Sequence, residues 1–137
     1  MLQAENAAPY LIAKPLGDYK KLNGLLAALQ GYGYAVEVVS WLAKGKTTKQ
    51  FDSAVRKNKR TWLRKYYPAI DLNNVHVVKH GTNKWRVSNY KGGILFDDES
   101  GNVRAWQRDT SSGKAVQIKD ETTLLDALES LIIQELE

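Results

Sequence analysis

The chain has 137 residues, no cysteine and a formal net charge of +5. That length predicts one domain, and the hydrophobic share of 43% is enough for a core. The composition excludes disulfides and thiolate metal sites, and no apolar run reaches the roughly 20 residues that cross a bilayer.

In chain order, Met1 to Ala8 reads as an extended arm without the pattern of a signal peptide. Pro9 and Pro15 bracket a short apolar piece, Tyr10 to Ala13, that reads as an edge strand or ordered arm. Asp18 is a candidate N-cap for a helix from Tyr19 to Gln30. There Leu22, Leu25, Leu26 and Leu29 recur at helical spacing, and Gly31 ends the run. The stretch from Glu37 to Tyr67 divides into three pieces. Glu37 to Lys44 stops at Gly45, Thr47 or Thr48 caps Lys49 to Val55, and Asn58 caps Lys59 to Tyr67 before Pro68. Two other readings fit the same residues. Tyr34 to Trp41 is rich enough in β-branched residues for a strand, and Phe51, Val55, Trp62 and Tyr66 share one stripe of a single helix.

Leu42, Gly45, Thr47, Phe51, Val55, Thr61 and Trp62 carry a resemblance to the helix-turn-helix of response-regulator-type transcription factors and serine recombinases. Asp52, Arg56 and Lys57 depart from that family's pattern. The resemblance covers residues 37–68 and implies duplex DNA binding, with the helix from Asn58 to Tyr67 in the major groove.

After Pro68 the periodicity shifts toward alternation. Val75 to His80 and Lys84 to Asn89 read as one hairpin. Ile94 to Phe96 and Val103 to Gln107 read as a second around an Asp97–Asn102 turn, and Ala115 to Ile118 as a fifth strand. Thr122 or Thr123 caps a last helix with Leu124, Leu125, Leu128, Leu131, Ile132 and Leu136 on its apolar side. The expected fold is therefore α+β: an N-terminal helical part with a helix-turn-helix, an antiparallel meander and a C-terminal covering helix. Residues 1–68 and 69–137 would form the two parts of one compact unit.

Charge is unevenly distributed. Residues 1–68 hold 12 Lys/Arg against 4 Asp/Glu, whereas residues 69–137 hold 8 against 11. A basic block suggests an anionic partner, of which duplex DNA is the foremost. Lys57, Arg60, Thr61 and Arg64, with Asn58, are expected to face outward as DNA contacts. Lys46, Lys49, Lys59 and Lys65 are expected to contact phosphate.

Catalytic, cofactor and metal sites are not expected. His76 and His80 lie too far apart along a strand for one metal. Asp98 with Gln117-Ile-Lys119 resembles the acid and Gln-x-Lys arrangement of restriction-type nucleases, but Asp97, Asp98 and Glu99 read first as turn residues. Trp85 and Trp106 read as a cross-strand pair, with base stacking by these or Tyr90 as the alternative. The leading expectation is a non-enzymatic, cytoplasmic or nucleoid-associated DNA-binding protein, with a second copy of the chain as an expected partner. The rivals are a module for an acidic protein partner, a metal-dependent nuclease and a single-strand nucleic-acid binder.

Overall fold

Five α-helices and four short strands alternate along the described part of the chain. The computed structural model describes residues 17–137. The N-terminal arm and the Tyr10–Ala13 piece lie outside the described residues. The α+β class holds, but the antiparallel meander does not form, because both strand pairs are parallel. The described residues form two compact units, divided between Gly81 and Thr82. The boundary drawn from composition at 68/69 would separate two strands that hydrogen-bond to each other, one on either side of it.

In the first unit, α1 spans Tyr19–Gly31, and the Asp18 carboxylate accepts the Lys21 N–H at 3.0 Å. β1 spans Val38–Trp41, so the strand reading of this stretch is the one realised, and the short helix expected there is not formed. Gly45, at φ 94°, supplies the left-handed turn that leads out of it. Thr48 then caps α2, its hydroxyl accepting Phe51 N–H at 3.0 Å. α2 runs unbroken from Lys49 to Tyr66.

The helix-turn-helix geometry is therefore absent: its first helix is a strand, and its turn at 56–58 is the middle of α2. Asn58 is a mid-helix residue rather than a cap. An Asn inside a helix costs at most about 0.7 kcal/mol relative to Ala. Burial along the same helix outweighs that cost. Phe51 and Val55 are buried, with Ala54, Trp62, Leu63 and Tyr66 packed against the same core, and each large apolar side chain buried is worth about 1.5–3 kcal/mol.

β2 spans Val75–Val78, after a single 3₁₀ turn at Leu72–Asn74, and pairs with β1 in the register Val38↔Val75 to Trp41↔Val78. A parallel pair needs a long crossover, and α2 supplies it. Leu42, Phe51, Val55, Tyr67, Ile70, Val75 and Val77 form the core of this βαβ unit. α1 closes onto it through an edge-to-face contact of Tyr19 with Tyr66. The Asn23 and Gln30 side chains also clamp both backbone groups of Ala69, at 2.9 and 2.7 Å.

The second unit repeats the plan. α3 is one turn, Lys84–Val87; β3 is Ile94–Asp97; α4 is Ser100–Asp109; β4 is Lys114–Gln117; α5 is Glu121–Leu136. The two expected hairpins are replaced by β3–α4–β4, with β3 and β4 parallel. The residues expected as the return strand of the first hairpin form α3, and those expected as the second return strand form α4. Val103 and Trp106, three apart, are both buried, which a helix achieves and a strand does not. Trp85 and Trp106 thus sit on different helices and form no cross-strand pair. Asp120, rather than Thr122 or Thr123, caps α5 by accepting the Thr123 N–H at 2.8 Å. Among the described residues no helix is long and apolar enough to cross a membrane.

β4 begins tightly against β3. A Cβ at Gly113 would lie 2.5 Å from the Gly93 carbonyl oxygen and 2.6 Å from the Thr110 hydroxyl. Gly113→Ala should therefore destabilise the protein by about 1–3 kcal/mol through overpacking. Urea denaturation of parent and variant would measure this, and an unchanged midpoint would contradict the packing described.

Candidate functional site

The basic residues singled out in the sequence fall into two groups once α2 is placed. At 100° per residue, Ser53, Lys57, Arg60 and Arg64 leave the helix on the side opposite Phe51, Val55 and Trp62, and Thr61 lies at its margin. Lys57, Thr61, Arg64 and Lys65 are exposed, Lys49 is exposed at the helix start, and Lys46 is exposed in the preceding loop. The Lys65 ammonium lies 5.2 Å from the Tyr66 ring centroid, and the Thr61 hydroxyl donates to the Lys57 carbonyl at 3.0 Å.

Asn58, Lys59 and Arg60 are half-buried. Lys59 Nζ donates to the Ser40 hydroxyl and to the Trp41 carbonyl, both at 2.7 Å, at the carboxyl end of β1. Arg60 donates to the carbonyls of Leu72 and Val75 at 2.9 and 2.8 Å, and Arg56 Nε donates to the Val77 carbonyl at 3.1 Å. Leu42 N–H bonds to the Val78 carbonyl. Because backbone groups alternate sides along a strand, the Val75 and Val77 carbonyls point away from β1. The two arginines thus cap the outer edge of β2. An uncapped edge is a template for unwanted strand pairing, and charged side chains are a common protection. The expectation that Arg60 is free on the outer face is corrected: its side chain leaves the helix away from the apolar stripe, but the guanidinium ends on the Leu72 and Val75 carbonyls.

The second cluster lies at the carboxyl end of β3. Asp97, the last residue of that strand, is buried, at 8% exposure. Its Oδ2 accepts Lys84 Nζ at 2.7 Å and Asn102 Nδ2 at 3.2 Å, and its Oδ1 accepts Glu99 N–H at 2.9 Å. Both members of the Lys84–Asp97 ion pair are largely removed from solvent, at 15% and 6% exposure. A charge buried to this degree is tolerated when paired and hydrogen-bonded, and breaking the pair by removing one partner is strongly destabilising.

Asp98 is exposed beside this pair. An open cleft of ≈ 370 Å³ is lined by Lys84, Phe96, Asp97, Asp98, Ile118 and Leu124. Glu99 turns back instead, its carboxylate capping α4 through Gly101 N–H at 3.0 Å. The cation at the acids is thus Lys84 rather than the Lys119 of the nuclease-like spacing. Lys119 is exposed, and Gln117 reaches only the Asp98 carbonyl, at 3.3 Å.

Lys84 was not legible as a site residue, since it stands 13 positions before Asp97 with a helix turn and a loop between. A signal for Asp97 and Asp98 was present: an apolar run ending in two acids, followed by Val103 and Trp106 at helical spacing, reads as strand, acid pair, helix. Among the described residues no three His, Cys, Asp or Glu side chains converge to hold a metal ion. His76 pairs with Glu37 at 2.9 Å, and His80 lies edge-on to Trp41 with ring centroids 4.7 Å apart.

The chain was compared with protein-family models, curated proteins and solved structures, and none of them matches it.

Arg60 and Arg64 should now separate in their effects. Arg60→Ala leaves two carbonyls without their charged donor and should cost about 1–3 kcal/mol. Arg64→Ala, on the exposed face, should change stability by less than about 0.5 kcal/mol. Paired denaturation curves would check this, and equal midpoints for the two variants would refute the edge-capping role.

Proposed function

We propose that the protein acts on phosphate esters at the Lys84, Asp97 and Asp98 cluster, as a hydrolase assisted by a divalent cation. The observation that carries this reading is the buried Lys84–Asp97 pair beside an exposed second carboxylate, all at the carboxyl end of a parallel strand. Open α/β sheets bind their ligands outside the carboxyl ends of their strands. Mg²⁺ needs no protein cage of three or more carboxylates. It is commonly held by one or two, with water and substrate phosphate completing the shell. Asp98, exposed beside the buried Asp97, is the residue that would hold it. A cation bound there would polarise the phosphoryl group and a water molecule.

The chain's own residues set the electrostatics. Asp97 holds Lys84 in place, and the Lys84 side chain lines the cleft where phosphoryl oxygens would gain negative charge. Asn102 and the Glu99 N–H fix the Asp97 carboxylate, so its orientation is set before any ligand arrives. This reading departs from the non-enzyme expected from the sequence and takes up its nuclease alternative with a different lysine.

A second reading keeps the nucleic-acid expectation. Lys49, Lys57, Arg64 and Lys65 are exposed along one helix, which suits sequence-independent contact with phosphates. Such binding should weaken steeply with salt, and Lys57→Glu with Arg64→Glu should abolish it in a folded protein. The two readings are compatible, because a polynucleotide is itself a phosphate ester.

Hydrolysis of p-nitrophenyl phosphate, bis-p-nitrophenyl phosphate and plasmid DNA, with Mg²⁺ or Mn²⁺ and with chelator, tests the first reading. Cation-dependent turnover of at least one substrate is expected, reduced about 10²-fold or more by Asp98→Asn. No cation-dependent turnover of any substrate by the parent, or full activity in Asp98→Asn, would sink it.

A further inference from the structure

We propose that Asp109, acting through Asn83, is a positioning residue that holds Lys84 opposite Asp97. The consequence for catalysis rests on the phosphate-ester reading above, whereas the positioning itself does not.

Lys84 opens α3, a helix of four residues. One turn of helix is too short to hold its own shape, because nucleation fixes several dihedrals for a single hydrogen bond. Its orientation must come from outside, and Asn83 provides the connection. The Asn83 Oδ1 accepts Trp85 N–H at 3.0 Å, which caps α3. Its Nδ2 donates to Asp109 Oδ2 at 2.8 Å. One amide thus ties the first turn of α3 to the last residue of α4.

α4 is the helix that follows β3, so its start lies next to the acids and its end meets Asn83. Glu99, the residue after Asp98, caps α4, and Asp97 accepts from Asn102 within its first turn. Lys84 and Asp97 are therefore linked twice: directly through their ion pair, and indirectly through Asn83, Asp109 and α4. At the far end of α3, the buried Ser88 ends the helix and its carbonyl accepts Lys91 Nζ at 2.7 Å.

Asp109 is suited to a permanent role. Arg108 donates to both of its oxygens at 3.0 and 3.1 Å. The hydrogen bond from Arg108, and after it the one from Asn83, hold the Asp109 carboxyl well below the ordinary carboxylate value, at about 2. The group therefore stays ionised, and an acceptor only, above that pH. Asp109 lies outside the residues that line the cleft, so it acts through Lys84 rather than on a ligand.

Competitive acetylation of the full chain with acetic anhydride, read by peptide mass mapping, tests the arrangement. The rate at Lys84 is compared with the exposed Lys114 and Lys119 in the same digest. In the parent, Lys84 should react at least about 10-fold more slowly than either, being half-buried and held in a charge-assisted hydrogen bond to Asp97. Asp97→Asn sets the rate of a released Lys84. Asp109→Ala should raise the Lys84 rate at least about threefold toward that level, with Lys114 and Lys119 unchanged, and Asp109→Glu should restore part of the protection.

Should Asp109→Ala not fold, Asn83→Ser serves in its place. Serine keeps a capping oxygen for Trp85 N–H but is too short to reach Asp109, and the same rise is expected. A folded Asp109→Ala or Asn83→Ser with Lys84 protected as in the parent overturns the proposal. The labelling needs no turnover. Release of Lys84 in a protein that hydrolyses nothing would uphold the strut and reject the hydrolase, whereas hydrolysis with unchanged labelling would do the reverse.

Discussion

Parallel pairing of two short strands, twice over, is the constraint on which the rest of the structure depends. Parallel neighbours cannot be joined by a tight turn, so each pair requires a crossover long enough to return the chain to its starting end. α2 and α4 are those crossovers. Their apolar residues must then fall on the side that meets the strands, as Phe51 and Val55 do on α2 and Val103 and Trp106 on α4. A residue ending the first strand of each pair consequently lies where a helix is about to begin.

That placement gives the two carboxyl ends their chemistry. At β1 it brings the Ser40 hydroxyl and the Trp41 carbonyl to Lys59 of α2. At β3 it brings Asp97 to Lys84 and leaves Asp98 exposed at the same strand end. In both units a lysine meets oxygen acceptors at the end of the leading strand. In the second unit the acceptor is a buried carboxylate, which commits a full negative charge and demands a fixed partner. The electrostatic argument for phosphate chemistry is for this reason stronger at β3 than at β1.

The distribution of arginine and lysine along α2 shows how one helix divides its charges between stability and surface. Arg56 and Arg60 reach to β2 and the turn before it and donate to strand-edge and loop carbonyls that would otherwise depend on water. Lys57, Arg64 and Lys65 stand clear of the sheet. Arg56 and Lys57 have different tasks because 100° of rotation separates them, whereas Arg60 and Arg64 share a side and differ in that only Arg60 reaches the Leu72 and Val75 carbonyls. A basic block counted along the sequence overstates the charge available to a partner.

Several elements were determined by the sequence alone, for local reasons. α1, with its Asp18 cap and leucine spacing, is fully legible. So, to within one or two residues, are the strands expected at Val75–His80, Ile94–Phe96 and Ala115–Ile118 and the C-terminal helix, while of the two cap candidates Thr47 and Thr48 the structure uses Thr48. Each follows from side-chain period or from a cap within a few residues of the element it shapes. Tertiary structure decided what depends on partners distant in the chain. It chose a strand at Val38–Trp41 because β2, more than thirty residues later, was there to pair with it. It carried α2 straight through Asn58 because the sheet buried both halves of one stripe. It made Lys84–Val87 and Ser100–Asp109 helical, where short mixed segments suit a hairpin equally well, because parallel strands leave no place for a hairpin return. The Lys84–Asp97 pair belongs to this second class. A lysine and an aspartate 13 positions apart carry no periodic signal, and only the fold removes both from water and makes their pairing obligatory.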